Sequence, residues 1–102
     1  MAIIEHVLLP IIPGRETEFE DAFTAVRHLP TEIEGFRSLT LRRGIESPST
    51  YLLLIEWDSV EAHEVGFRGS AQYVEWKAAL HHFYDPFPVV EHFQETQEPS
   101  DT

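Results

Sequence analysis

From Tyr51 to Trp57 the chain runs almost unbroken through apolar residues, YLLLIEW. The run is too short for a helix and rich in aromatic and branched side chains, which predicts a strand buried on both faces. At Asp58-Ser59 the pattern switches to a helical one. Either residue can cap the helix that follows, and Asp58 has Glu61 three positions on, the spacing of a capping box. His63 and Phe67, four apart, share a face of that helix. Gly66 and Gly69 bracket its end, and Ser70 is placed to cap a second helix whose inward stripe is Tyr73, Trp76, Lys77 and Leu80. Aromatic rings and one imidazole therefore gather at a single strand-to-helix junction. They either fill a core or wall a pocket for a flat, apolar ligand.

Ile3 to Ile12 reads as a first strand, with Ile3, Val7 and Leu9 on one face and Ile4 and Leu8 on the other, interrupted by Glu5 and His6. Pro10 and Pro13 mark either the end of pairing or an edge strand. After the Pro13-Gly14 turn, Phe19, Ala22, Phe23 and Val26 recur at the spacing of an amphipathic helix over about Arg15 to His28, with acids toward its N-terminal half. Pro30 stops it. A second strand runs from Gly35 to Arg43, the loop 44–50 joins it to the apolar run, and Val89 to Gln94 alternates as a fourth strand. Residues 1–94 thus form one domain, and the polar 95–102 is a tail expected to fray. Strand, helix, strand, strand, helix pair, strand is the ferredoxin-like βαββαβ order of an α+β fold with a four-stranded antiparallel sheet. Helices cover one face of such a sheet. The apolar residues on the other face of the third strand call for a homodimer packed sheet to sheet.

Composition removes several function classes. With 18 acidic against 7 basic side chains and a net charge of -11, the chain repels phosphate backbones and anionic lipid surfaces, so neither nucleic acid nor membrane is an expected partner. It has no cysteine, which excludes a thiol nucleophile and a thiolate metal site. The N-terminus lacks a basic n-region, and no apolar run approaches the length of a membrane span, so a cytoplasmic protein is expected. No His pair has the local spacing of a chelate, and no metal is expected. Phosphate-binding glycine loops and a nucleophile elbow are absent as well.

Several spaced motifs, in order, carry a resemblance. Pro13-Gly14-Arg15 before Glu18-Phe19, Glu56-Trp57-Asp58-Ser59 with His63, Gly66-Phe67-Arg68, Ser70, Trp76 and Val90-Glu91-His92-Phe93 together resemble the antibiotic biosynthesis monooxygenase domain over nearly the whole chain. The resemblance implies a dimeric α+β barrel with a pocket in each subunit between sheet and helices. In some such proteins it also implies cofactor-independent oxidation of aromatic or quinone-like compounds. A haem-degrading branch carries an Asn on the first strand, a Trp on the helix after strand three and a His beyond. Here Glu5-His6, Gly66-Phe67 and Trp76 stand in those places, a departure from that pattern.

The expectation is therefore an oxidoreductase without a bound cofactor, a monooxygenase acting on a small phenolic quinone precursor. Such a site needs only to orient the phenol, hold its proton and keep water out. His63 is the candidate catalytic residue, because an imidazole titrates near neutrality. Trp57, Phe67, Arg68, Tyr73, Trp76, His6 and His92 are the candidate ligand-binding residues. Each has a structural alternative: the rings as core, His92 in a dimer interface, Arg68 in an ion pair. His81 and His82 read as surface residues. The alternative function is a non-catalytic dimer that binds a small molecule, or a stress-associated protein of the same fold.

Overall fold

The computed structural model describes residues 2–96; most of the expected tail, residues 97–102, lies outside the described residues. Strands β1 (Ile3–Pro10), β2 (Phe36–Arg43), β3 (Thr50–Trp57) and β4 (Val90–Gln94) alternate with helices α1 (Glu16–Val26) and α2 (Ala71–Leu80). The sheet order is β2-β3-β1-β4 with every neighbouring pair antiparallel, so the fold is the predicted ferredoxin-like α+β arrangement. β1 pairs along its whole length with β3, from Ile3 opposite Trp57 to Pro10 opposite Thr50, and on its other side with β4. It is a central strand, so Pro10 marks the end of pairing and the edge-strand alternative falls.

Period-two alternation sorts each central strand into two rows. β1 buries Ile3, Glu5, Val7 and Leu9, while Leu8 is exposed and Ile4 and His6 are half-buried. β3 buries Tyr51, Leu53, Ile55 and Trp57 and leaves Leu52, Leu54 and Glu56 half-buried. The strand expected to be covered on both faces is covered on one in the single chain. On the covered face α1 contributes Phe19, Phe23 and Val26, with Phe19 edge-on to Tyr51 at 5.0 Å and Phe23 edge-on to Trp76 at 5.6 Å.

The junction after β3 differs from the expected regular helix. Ser59, not Asp58, is the cap: its Oγ accepts the Ala62 N–H at 3.1 Å. Asp58 is drawn away by Arg37, which stands at an irregularity in the β2–β3 register between Phe36 and Ser38. The helix then widens to a π-helical segment over Ala62–Phe67, closed by the Arg68 N–H donating to the His63 carbonyl at 3.0 Å. Wide turns of this kind recur at functional sites. This one buries both His63 and Phe67. The segment sits close against the entry to β2, where Gly35 has φ +94° and a Cβ would meet Ala62 Cβ at 2.7 Å. Ser70 caps α2 as expected, its Oγ accepting the Tyr73 N–H at 3.2 Å. Trp76 and Leu80 are buried and Tyr73 is half-buried, but Lys77 points to solvent and drops out of the predicted inward stripe. Among the described residues no helix is long and apolar enough to cross a membrane.

Candidate active site

One carboxylate stands in the inward row of β1. Glu5 is only 5% exposed, between Ile3 and Val7, and three elements besides its own supply its surroundings. Trp57, inward on β3, donates from Nε1 to Glu5 Oε1 at 2.9 Å. His63 of the π-helical segment brings Nε2 to 3.4 Å from the same oxygen. His92, directly opposite Glu5 in the β1–β4 register, places Nε2 2.9 Å from His63 Nδ1. The indole of Trp57 also stacks on the His63 ring, 5.8 Å between centroids and 23° between planes. Trp57, Glu5, His63 and His92 thus form one continuous polar row inside an apolar layer.

Burial governs the protonation of this row. It pushes the Glu5 carboxyl up to about 7, against the Trp57 hydrogen bond and the Arg68 charge, which pull it down. It pushes His63 down to about 3, with the Arg68 charge and then His92 adding to the effect. Both groups therefore favour their neutral forms. With Glu5 ionised, a consistent arrangement has His63 Nε2–H facing the carboxylate and His92 Nε2–H donating to His63 Nδ1. Glu5 and His92 engage different nitrogens of one imidazole, which suits proton movement along the row and not chelation of one ion. Among the described residues, no group of three His, Cys, Asp or Glu is placed to hold a metal.

A cavity of about 60 Å³ opens beside this row, between the sheet and the helices. Glu5 and His63 face it, Phe67, Tyr73 and Trp76 supply ring walls, and Arg68 lies at its rim. His81, Tyr84 and Phe87 complete the wall; the His81 ring lies 5.4 Å from Tyr84 and 5.0 Å from Phe87. Burial raises the Tyr84 hydroxyl above the usual phenol range, helped by Tyr73 and Glu5, so it remains a donor.

Of the residues singled out in the sequence, His63, Phe67, Arg68, Tyr73 and Trp76 come together around the cavity. Trp57 is fully buried one layer behind it, and His92 reaches the row through His63. His6 lies on the opposite face of the sheet, edge-on to Phe93 at 5.4 Å, because residues alternate along β1. Glu5, His81, Tyr84 and Phe87 also line the cavity and are not among the residues singled out in the sequence. A signal for Glu5 existed, since an acid in register with Ile3, Val7 and Leu9 is a charge in a core row. The other three depend on how the segment between α2 and β4 folds back over the sheet, which no local pattern reports; His81, expected at the surface, is half-buried there.

A family model described as antibiotic biosynthesis monooxygenase matches residues 2–79. The uncharacterized protein YczJ of Bacillus subtilis is 48% identical over 91 residues, covering 89% of this chain and 96% of that protein. A crystal structure from Bordetella bronchiseptica, given the provisional name antibiotic biosynthesis monooxygenase, superposes with a TM-score of 0.88 at 34% identity, covering 93% of this chain and 97% of that one. The monooxygenase from the gene ActVA-Orf6 of Streptomyces coelicolor, solved in complex with Nanaomycin D, superposes with a TM-score of 0.80, covering 99% and 93% of the two chains. At 18% identity that last likeness carries the fold alone. On the match over most of its length and the extended similarity to two relatives, the chain belongs to the antibiotic biosynthesis monooxygenase family.

Proposed function

We propose that the protein is a cytoplasmic, cofactor-independent monooxygenase that oxidises a small phenol in the cavity between sheet and helices, with Glu5 and His63 as its proton-handling pair. The observation that carries the proposal is a buried carboxyl tuned to about 7 at the edge of an aromatic-walled cavity. Base strength decides which member of the pair takes the proton. Moving a proton from a phenol of ordinary acidity to a base near 7 costs about 4 kcal/mol, against about 10 kcal/mol to a base near 3. Glu5 is therefore the acceptor, and His63, the residue favoured by sequence, orients it and connects it to His92. The phenolate passes electrons directly to dioxygen. One oxygen atom enters the ring as a carbonyl and the other leaves as water, so that a phenol and dioxygen give a quinone and water with no external reductant.

The reading includes a homodimer. Leu8 and Phe93 are 52% exposed on the uncovered sheet face beside Ile4, Leu52 and Leu54, an apolar strip that a second copy fits. The cavity's size constrains the occupant equally in a second reading, a non-catalytic binding protein. The cavity volume of about 60 Å³ lies below the roughly 300 Å³ at which pockets begin to enclose drug-sized ligands. A single-ring substrate suits it better than a polycyclic one.

Oxygen uptake with a panel of single-ring phenols tests the proposal. In the wild-type protein kcat/KM rises with pH through about 7 as Glu5 ionises, and Glu5→Gln lowers it by about 100-fold or more. Background consumption in both proteins across the panel counts for the binding reading.

A further inference from the structure

The cations of this chain are unevenly used. Arg15 pairs with Glu18, Arg37 with Asp58 and Arg43 with Glu20, as befits a chain of net charge -11. Arg68, like Arg27, Arg42 and Lys77, makes no ion pair with any described residue, and among the described residues it is the one of these four that lines the cavity. Its guanidinium lies at the cavity rim, and its charge reaches inward to Glu5, His63 and His81. Lys77, the single lysine, acts on His81 from α2. Burial, Lys77 and Arg68 together hold His81 below its usual range, so it meets a ligand as a neutral hydrogen-bonding group. Among the described residues, Glu5 is the one carboxylate that lines the cavity.

We infer that the natural ligand is an aromatic acid, a single ring that presents a phenolic hydroxyl to Glu5 and an ionised acidic group to Arg68. The inference rests on the reading of the cavity as the substrate site and adds its charge. A free guanidinium at the rim of an aromatic slot binds an anion by paired, charge-assisted hydrogen bonds while the ring packs among Phe67, Tyr73 and Trp76. In a chain so acidic, a general attraction for anions is absent, so selectivity for the acid depends on this one side chain.

NMR titration of the isotopically labelled full chain with para-hydroxybenzoate and its neutral isostere para-hydroxybenzamide tests it. The acid is expected to bind about tenfold more tightly than the amide to the wild-type protein. Arg68→Gln is expected to erase that preference, and Arg68→Lys to retain part of it. Arg68 is exposed, so both variants are expected to keep the wild-type spectrum away from the cavity. Equal binding of acid and amide, or a preference that survives in Arg68→Gln, overturns the inference while leaving the cavity reading intact. Binding of neither compound overturns both.

Discussion

Glu5→Gln isolates one buried charge without removing its packing. A glutamine has the same shape, and its side-chain carbonyl still accepts the Trp57 N–H seen at 2.9 Å. What the substitution removes is a titration. The folded carboxyl holds its proton up to about 7, whereas the unfolded chain releases it near 4.5, so between those values the folded state binds more protons and loses stability as pH rises. Across the whole interval the loss is about 3 kcal/mol, at 1.36 kcal/mol for each pH unit separating the two values. The isoelectric point of about 4.8 makes the lower end impractical, and from about pH 5.5 to 8 the loss comes to about 2 kcal/mol. His63 works in the opposite sense: depressed to about 3 from 6.5, it adds stability as pH rises through the lower part of the range. That contribution operates in wild type and variant alike, so the difference between the two proteins reports Glu5 together with its coupling to His63 at 3.4 Å. Urea unfolding of both proteins at a series of pH values is the assay, with the difference in unfolding free energy plotted against pH. Glu5→Gln should gain about 2 kcal/mol on wild type from about pH 5.5 to 8. Parallel curves would show that the carboxyl titrates as an exposed one and would remove the basis for Glu5 as a base tuned to neutrality.

Two further predictions address the frame around the site. Gly35→Ala forces a side chain onto a positive φ with its Cβ 2.7 Å from Ala62 Cβ, and should cost about 2 kcal/mol in urea unfolding; a change within 0.5 kcal/mol, roughly the noise of such comparisons, would mean that the π-helical segment is not held tightly against β2. Leu8→Glu puts a charge on the uncovered sheet face at a half-exposed position, so it should leave the fold intact by circular dichroism and convert a dimer to a monomer in sedimentation velocity. A wild-type protein that already sediments as a monomer would sink the sheet-to-sheet homodimer.

The sequence by itself determined the order of elements and the faces they bury. Those properties follow from period-two and period-3.6 spacing and from local punctuation at Pro30, Ser70 and the Pro13-Gly14 turn, all short-range physics. It also determined that Tyr73 and Trp76 share one helix face and His63 and Phe67 another, while the packing of Phe67 against Tyr73 and Trp76 came from the tertiary structure. Tertiary structure decided the chemistry. Ser59 caps in place of Asp58 because Arg37, 21 residues away, claims the Asp58 carboxylate. Glu5 meets Trp57 across 52 residues of chain and His92 across the sheet, and a strand register that only long-range pairing sets gives the carboxyl its raised proton affinity. Whether a polar side chain in an apolar row is a flaw or a functional group depends on what lies opposite it, and that is a property of the folded neighbours and not of the residue.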